Sequence, residues 1–358
     1  MKTPAARPTS EKPLRLVQVG LGGWGKSWAS TVVPKLESVR AVGWVDANPA
    51  ALEAARQTLE FPKKHCFASL KQALEQVNAD AVLITAPASV HASIATLALE
   101  AGLHVLVEKP FAPTLEQARA VVEVARVNKR TLMVSQNYRF QPAPMRVAQL
   151  VQEQVLGKVG VVYVEFRRDN LNMSPNSPHL FWEQPLLLDM AIHHFDLMRF
   201  ILGQNALELY CRAWNPSWSL YRDPACAVVN IGFDGGTVLN YQGSWVSPGT
   251  VTPWAGEWRL ECELGEISFS SRDNNAPDVV RVRKHGKIAR KLELQALEHP
   301  GRIGSLNAFV EAIRTGAEPM TSGRQNLGSL QLSLEAIRSS HENQVVKLEH
   351  FGVDGALI

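Results

Sequence analysis

The chain has 358 residues, enough for two domains, of which 46% are hydrophobic and 20% charged. Thirty-seven basic against thirty-four acidic side chains leave +3, too balanced for a protein that works on nucleic acid or an anionic membrane. Four scattered cysteines (Cys66, Cys211, Cys226, Cys262) without a C-x-x-C pair argue against a disulfide scaffold or zinc ribbon and for reduced thiols in the cytoplasm. No metal is expected. No apolar run is long enough to span a membrane, and MKTPAARPTSEKP (1–13) reads as a polar, flexible tail rather than a signal peptide.

The first half alternates apolar strands with helices. LRLVQVG (14–20) is a strand, and a glycine-rich turn after it opens a helix near Trp24. VRAVGWVD (39–46) is a second strand, followed by a helix over 48–59 with Asn48 as N-cap and Pro49 at its first position. DAVLITAP (80–87), HVLVEKP (104–110) and TLMVSQNY (131–138) are three more strands. Helices over 92–102 and 114–129 separate them, the second with a Thr114/Gln117 capping box. Strands that are apolar throughout imply a parallel sheet covered on both faces.

After about residue 140 the rhythm changes. Helices are expected over 145–157 and, without interruption, over 186–203. Period-2 alternation then dominates, as in EWRLECEL (257–264) and EISFS (266–270), with a hairpin at 226–245 turning on Asp234-Gly235. Two helices close the chain. The reading is an α/β protein with a Rossmann domain over 14–137 and, over 138–358, an α/β domain built on a large, mainly antiparallel sheet. An apolar face on so long a sheet needs a cover, which points to association of copies through the sheet of 226–294.

Gly20-Leu21-Gly22-Gly23-Trp24-Gly25 matches G-x-G-x-x-G between a strand and a helix. Gly20 allows the tight turn, Gly22 lets a pyrophosphate approach, and Gly25 lets helix and strand pack closely. The helix N-terminus then offers N–H groups to the phosphates. Asp46 closes the second strand, where a carboxylate accepts from the adenosine ribose hydroxyls and repels a 2′-phosphate. NAD is therefore favoured over NADP.

On the apolar helix of 186–203, Asp189, His193 and Asp196 fall at i, i+4 and i+7, one polar stripe facing a cleft. An imidazole beside a carboxylate suits a general base. His194 points elsewhere, and Arg199 is the expected ion-pair partner of Asp196. Glu108-Lys109-Pro110 ends the fourth strand, at the carboxyl edge where ligands bind in open parallel sheets. Lys109 can steady a developing alkoxide there. Arg139, Arg167 and Arg168 are candidates for an anionic group on a substrate, with solvated strand arginines as the alternative.

Together the glycine turn, TAPASVH (85–91), AGLHVLVEKPFA (101–112), D-x-x-x-H-x-x-D (189–196) and QNYRF (136–140) resemble the Gfo/Idh/MocA family of sugar and cyclitol dehydrogenases. The resemblance runs from about residue 14 to 350. It implies that Gly20, Gly22, Gly23, Trp24, Gly25, Asp46, Thr85, Pro87, His91, Glu108 and Lys109 line the dinucleotide. It implies catalysis by Lys109 and His193 with Asp189 assisting, and substrate contacts from Lys109, Arg139, Arg167, Asp189 and His193. It also implies a homodimer or homotetramer through the C-terminal sheet. One departure stands out: where many members carry a glycine-rich stretch before the helix, this chain reads FWEQPLLLD. The expected activity is hydride transfer between NAD and a secondary alcohol of a sugar or cyclitol. An NAD-dependent glycosidase and a non-catalytic dinucleotide-binding regulator are the alternatives.

Overall fold

The computed structural model describes residues 12–349, so the expected tail lies almost entirely outside the described residues. The chain forms two compact units, one of the residues through Glu108 with Ala120–Ser135 and Arg302–Ser322, the other of Lys109–Arg119, Gln136–Gly301 and the residues from Gly323 on. The contiguous division at 137/138 is thus corrected at two places. One reason is local to the first unit. Residues 321–322 lie along its edge strand, where Val134 donates to the Thr321 carbonyl at 2.8 Å and Met133 bridges Ser322.

In the first unit the strands are β1 (Leu14–Val19), β2 (Val39–Val45), β3 (Cys66–Phe67), β4 (Ala81–Ile84), β5 (His104–Val107) and β6 (Leu132–Val134). They pair in parallel in the order β3-β2-β1-β4-β5-β6, the doubly wound dinucleotide-binding order. Helices α1 (Gly23–Thr31), α2 (Pro49–Leu59), α3 (Leu70–Gln76), α4 (His91–Glu100) and α5 (Leu115–Val127) connect them. Leu16, Val17, Leu83, Ile84 and Leu106 are wholly buried, which is why these strands carry no polar alternation. Asn48 caps α2 as expected, its side chain accepting from the Ala50 and Ala51 amides. Neither β3 nor α3 was expected: the strand has two residues, and α3 is a short, mostly polar helix started by the Ser69 cap.

The second unit contains α6 (Pro142–Gln152), β7 (Val159–Arg167), α7 (Ala191–Leu202), β8 (Ala206–Trp214), β9 (Cys226–Phe233), β10 (Val238–Ser244), β11 (Glu257–Cys262), β12 (Gly265–Ser270), β13 (Val279–Lys284) and β14 (Arg290–Lys291). The chain then runs through α8 (Gly301–Thr315), most of which belongs to the first unit, to α9 (Gly323–Glu342) and β15 (Val346–Lys347). The nine strands order as β14-β13-β12-β11-β7-β10-β9-β8-β15, antiparallel except for β7 beside β10. Two local expectations change. The β9–β10 turn places its positive φ on Gly236 (+82°) rather than on Asp234-Gly235, because it is a longer loop closed by Phe233 and Thr237. The helix expected over 186–203 begins as a π-helical turn, Pro185–Met190, and becomes α-helical only at Ala191.

The apolar face of this sheet (Val162, Val164, Phe166, Val229, Leu239 and Leu260 among others) is covered by the unit's own helices α6, α7 and α9. That removes the argument that a second copy must cover it. The opposite face is polar: Arg167 pairs with Glu165 and Glu257, and the Arg259 guanidinium lies 4.3 Å from the Tyr163 ring centroid.

A buried ion pair ties α7 to the segment after β6. Arg139 grips Asp196 through Nε at 2.5 Å and an Nη at 2.7 Å, and Ser329 of α9 donates to the same carboxylate at 2.8 Å. The side chains of Arg139 and Asp196 are 7% and 2% exposed. This corrects three expectations: Asp196 does not face a cleft, Arg139 is not available to a substrate, and Arg199 is not the partner of Asp196. Arg199 instead donates to the Gln325 carbonyl and to Ser329. Asp196→Ala, which strands a buried guanidinium, should cost about 3–5 kcal/mol, and an Arg139→Met, Asp196→Leu pair should recover most of it. Urea denaturation of the three proteins measures both.

Candidate functional site

The first unit's β1–α1 turn is built for close approach. Gly20 has φ +96° and its Cα abuts the backbone of Ala86, so any Cβ there would collide. A Cβ on Gly25 would strike the Gly20 carbonyl oxygen. A Cβ on Gly22 or Gly23 would meet nothing within 4 Å, so the backbone there faces open space at the N-terminus of α1. No side chain caps that terminus. Its amides and partial positive charge suit a pyrophosphate. Asp46 is fixed beside it, accepting from the Leu21 amide at 2.7 Å and the Asn48 amide at 2.8 Å. Trp24 is half exposed, with the Arg302 guanidinium 4.2 Å from its ring centroid.

Other residues expected around the dinucleotide brace the turn. The Thr85 hydroxyl donates to the Gly20 carbonyl at 2.7 Å and is itself met by Gln18. His91 is buried with Nε2 on the Ala86 carbonyl at 2.8 Å. Glu108 is buried and accepts from Trp28 Nε1 at 2.7 Å. Their polar atoms are engaged with the loops and helix around the turn. Pro87 is exposed at the β4 loop.

The second unit collects a different set of groups. Lys109, which follows Glu108 and precedes a cis peptide bond to Pro110, donates to Asp189 twice, to Oδ1 at 2.5 Å and to the main-chain carbonyl at 2.6 Å. Asp189 lies in the π-helical turn that precedes α7. No hydrogen bond or ion pair joins Asp189 to His193, contrary to the stripe read from the sequence.

His193 is held by other means. Its Nδ1 lies 3.0 Å from Gln136 Oε1, which only an Nδ1–H can satisfy, and this leaves Nε2 as the lone-pair nitrogen. The ring stacks on Tyr138 at 4.1 Å with a 2° tilt, and the Arg272 guanidinium lies 4.0 Å from the same tyrosine's centroid. Burial, then the Lys109 and Arg272 charges and His194, hold the His193 imidazole well below its ordinary pKa, so it is neutral near pH 7. His194 points away, as expected. It lies between the Tyr241 hydroxyl (3.2 Å) and the Trp254 carbonyl (3.1 Å), and burial pushes its pKa down to about 4.

Sequence reasoning missed Gln136, Arg272 and a third histidine. His179 sits on a short 3-10 turn (Pro178–Phe181), with Nδ1 2.8 Å from the Tyr221 hydroxyl and Nε2 4.0 Å from Asp189 Oδ2. Pro178 at the start of that turn was the one local signal. Of the strand arginines, Arg167 lies on the outer face with Glu165 and Glu257, away from this cluster, and so is not a substrate ligand there. Arg168, one residue on, points to the other side, 4.0 Å from the Trp254 ring centroid. Among the described residues no group of histidines, cysteines and carboxylates could hold a metal.

Comparison with known proteins bears on both units. Residues 14–136 match "Oxidoreductase family, NAD-binding Rossmann fold", and residues 145–268 match the "GFO/IDH/MocA C-terminal domain". An uncharacterised protein of Sinorhizobium fredii is 29% identical over 94% of this chain and 96% of its own length. Inositol 2-dehydrogenase of Rhizobium meliloti is 26% identical over 94% of this chain and 99% of its own. The crystal structure of an inositol dehydrogenase homolog from Azotobacter vinelandii, complexed with NADH and myo-inositol, superposes with a TM-score of 0.79. It is 19% identical, covers 94% of this chain and 98% of its own, and shows the same fold.

Two expectations follow. Gly22→Ala should leave the thermal midpoint near that of the wild type while weakening dinucleotide binding, whereas Gly25→Ala should lower both; calorimetry and thermal melts separate the two. Below pH 6.5 the unfolded chain binds a proton that folded His194 refuses until about pH 4, so stability should fall across that window by roughly 3 kcal/mol from this residue. Urea midpoints at pH 7 and 4.5 test the slope, which His194→Gln should flatten.

Proposed function

The chain belongs to the Gfo/Idh/MocA oxidoreductase family, and on that premise we propose that it reversibly oxidises one secondary alcohol of a sugar, cyclitol or related polyol with NAD. The carrying observation is the neutral His193, pinned at Nδ1 by Gln136 with Nε2 left as a base, in the field of the Lys109 ammonium. The α1 N-terminus, Gly22 and Asp46 hold the dinucleotide. Bound NAD supplies the hydride acceptor. His193 Nε2 takes the hydroxyl proton as the carbon loses hydride and the C–O bond becomes a carbonyl. Lys109 donates a hydrogen bond to that oxygen and stabilises its negative charge as it develops. Asp189 keeps Lys109 placed. The kinship with inositol 2-dehydrogenase supports a cyclitol or sugar as substrate.

Because Lys109 helps depress His193, the acid limb of kcat/KM for alcohol oxidation should lie below pH 6.5, and Lys109→Ala should move it upward while cutting turnover. His193→Ala should lower turnover by about 10² to 10⁴ with NAD affinity held within a few fold. A limb that stays put in Lys109→Ala contradicts the assignment. Asp46 should make NAD bind at least about tenfold tighter than NADP, since each 1.4 kcal/mol of repulsion is tenfold; equal affinities in calorimetry refute it. Self-association, if through the second sheet, uses the polar face of Glu165, Arg167, Glu257 and Arg259. The oligomer should therefore weaken as salt rises in sedimentation experiments.

A further inference from the structure

We propose that His179 and Asp189 together bind a second hydroxyl of the substrate, one other than the hydroxyl that is oxidised; the inference rests on the dehydrogenase reading above. The hydrogen-bond network around His179 fixes its tautomer. Asn170 Nδ2 donates to the Tyr221 hydroxyl oxygen at 2.7 Å, and of the two acceptors within reach of the Tyr221 O–H, Met173 Sδ at 3.7 Å and His179 Nδ1 at 2.8 Å, the imidazole nitrogen is the nearer and much the stronger. The neutral ring then carries its proton on Nε2, the nitrogen that faces Asp189 Oδ2.

At 4.0 Å that donor and that acceptor are too far apart to bond each other. They are spaced so that one oxygen, about 2.8 Å from each, accepts from Nε2–H and donates to Oδ2. An alcohol has both capacities; an ether, ketone or ester oxygen cannot donate, and a methylene can do neither. The other oxygen of the carboxylate is already held by Lys109, so the two functions of Asp189 do not compete.

The ring is preorganised for this task. Trp182, Trp245 and Tyr221 stand nearly perpendicular to it, at 4.4, 5.0 and 5.4 Å between centroids. Trp245 is in turn anchored by donating to the Pro185 carbonyl at 3.0 Å, at the start of the π-helical turn that carries Asp189. Burial and the Lys109 charge favour the neutral ring, against the pull of Asp189. His179 lies just before FWEQPLLLD, the stretch in which this chain departs from the glycine-rich pattern.

The test is a double-mutant cycle between protein and substrate. Wild type and His179→Phe are assayed by NAD reduction on a polyol panel, and the best substrate is then compared with its monodeoxy analogues. Tyr221→Phe, which leaves the His179 ring but removes the hydroxyl that sets its tautomer, is the second variant, and the thermal melt of each variant checks that it is folded. We expect kcat/KM on the full polyol to fall about 10- to 100-fold in His179→Phe. One deoxy analogue should lose a similar factor with the wild type and little more with the variant, with Tyr221→Phe falling between. Losses that multiply for every analogue, or a variant as active as the wild type, overturn the inference and leave the dehydrogenase reading intact. Failure of the wild type to reduce NAD with any polyol overturns both.

Discussion

The Lys109 ammonium rests on the carboxylate and the main-chain carbonyl of one residue, Asp189, and the chemistry of the second unit is arranged around that contact. A half-buried ammonium needs anionic partners to stay charged. Here it gets a carboxylate oxygen and the main-chain carbonyl of a residue in a π-helical turn. The pairing spends the Asp189 charge on the lysine rather than on His193. That imidazole sits among cationic neighbours and hydrocarbon, and remains neutral. In the proposed reaction, electrostatics divides the labour between a charged donor for the oxygen and an uncharged base for the proton.

Around these two groups the fold supplies fixed partners. Gln136 sets one nitrogen of His193, Tyr138 sets the plane of the ring, and Arg139 with Asp196 and Ser329 fixes the helix that carries it. The arginine–aspartate pair is a constraint on geometry more than a source of stability, since well-packed apolar residues often do as well. In the first unit the same economy appears with backbone. Thr85, Gln18 and Glu108 hold the glycine turn and α1 from behind, which leaves the open side of the turn to glycines alone.

The Rossmann unit was legible because its signals are local. Apolar strands, the glycine turn, the Asn48 cap and Asp46 each declare themselves within a few residues, and the strand order follows from the usual handed connections. The second unit was legible in outline, through period-2 alternation, but its site was not. The π-helical turn departs from the ideal helix on which the stripe is drawn, Asp189 bonds Lys109 rather than His193, and nothing in PLLLDM announces either feature. Arg139 and Asp196 are 57 residues apart, so no window of sequence pairs them. His179 lies in an aperiodic loop whose meaning depends on Tyr221 and Asn170. The polar outer face of the sheet was written in the alternation of β7 and β11. What could not be read was which helices cover the other face.

In the proposed reaction His193 acts as a neutral imidazole protonated at Nδ1, with Nε2 as the base. Two-bond ¹H–¹⁵N correlation spectra of histidine-labelled protein, with His193→Gln for assignment, report tautomer and charge directly. An Nδ1–H neutral ring is expected for His193 at pH 7, and it should take up no further proton as the pH falls just below 6.5. An Nε2–H tautomer, or a ring that titrates at or above pH 6.5, would contradict it.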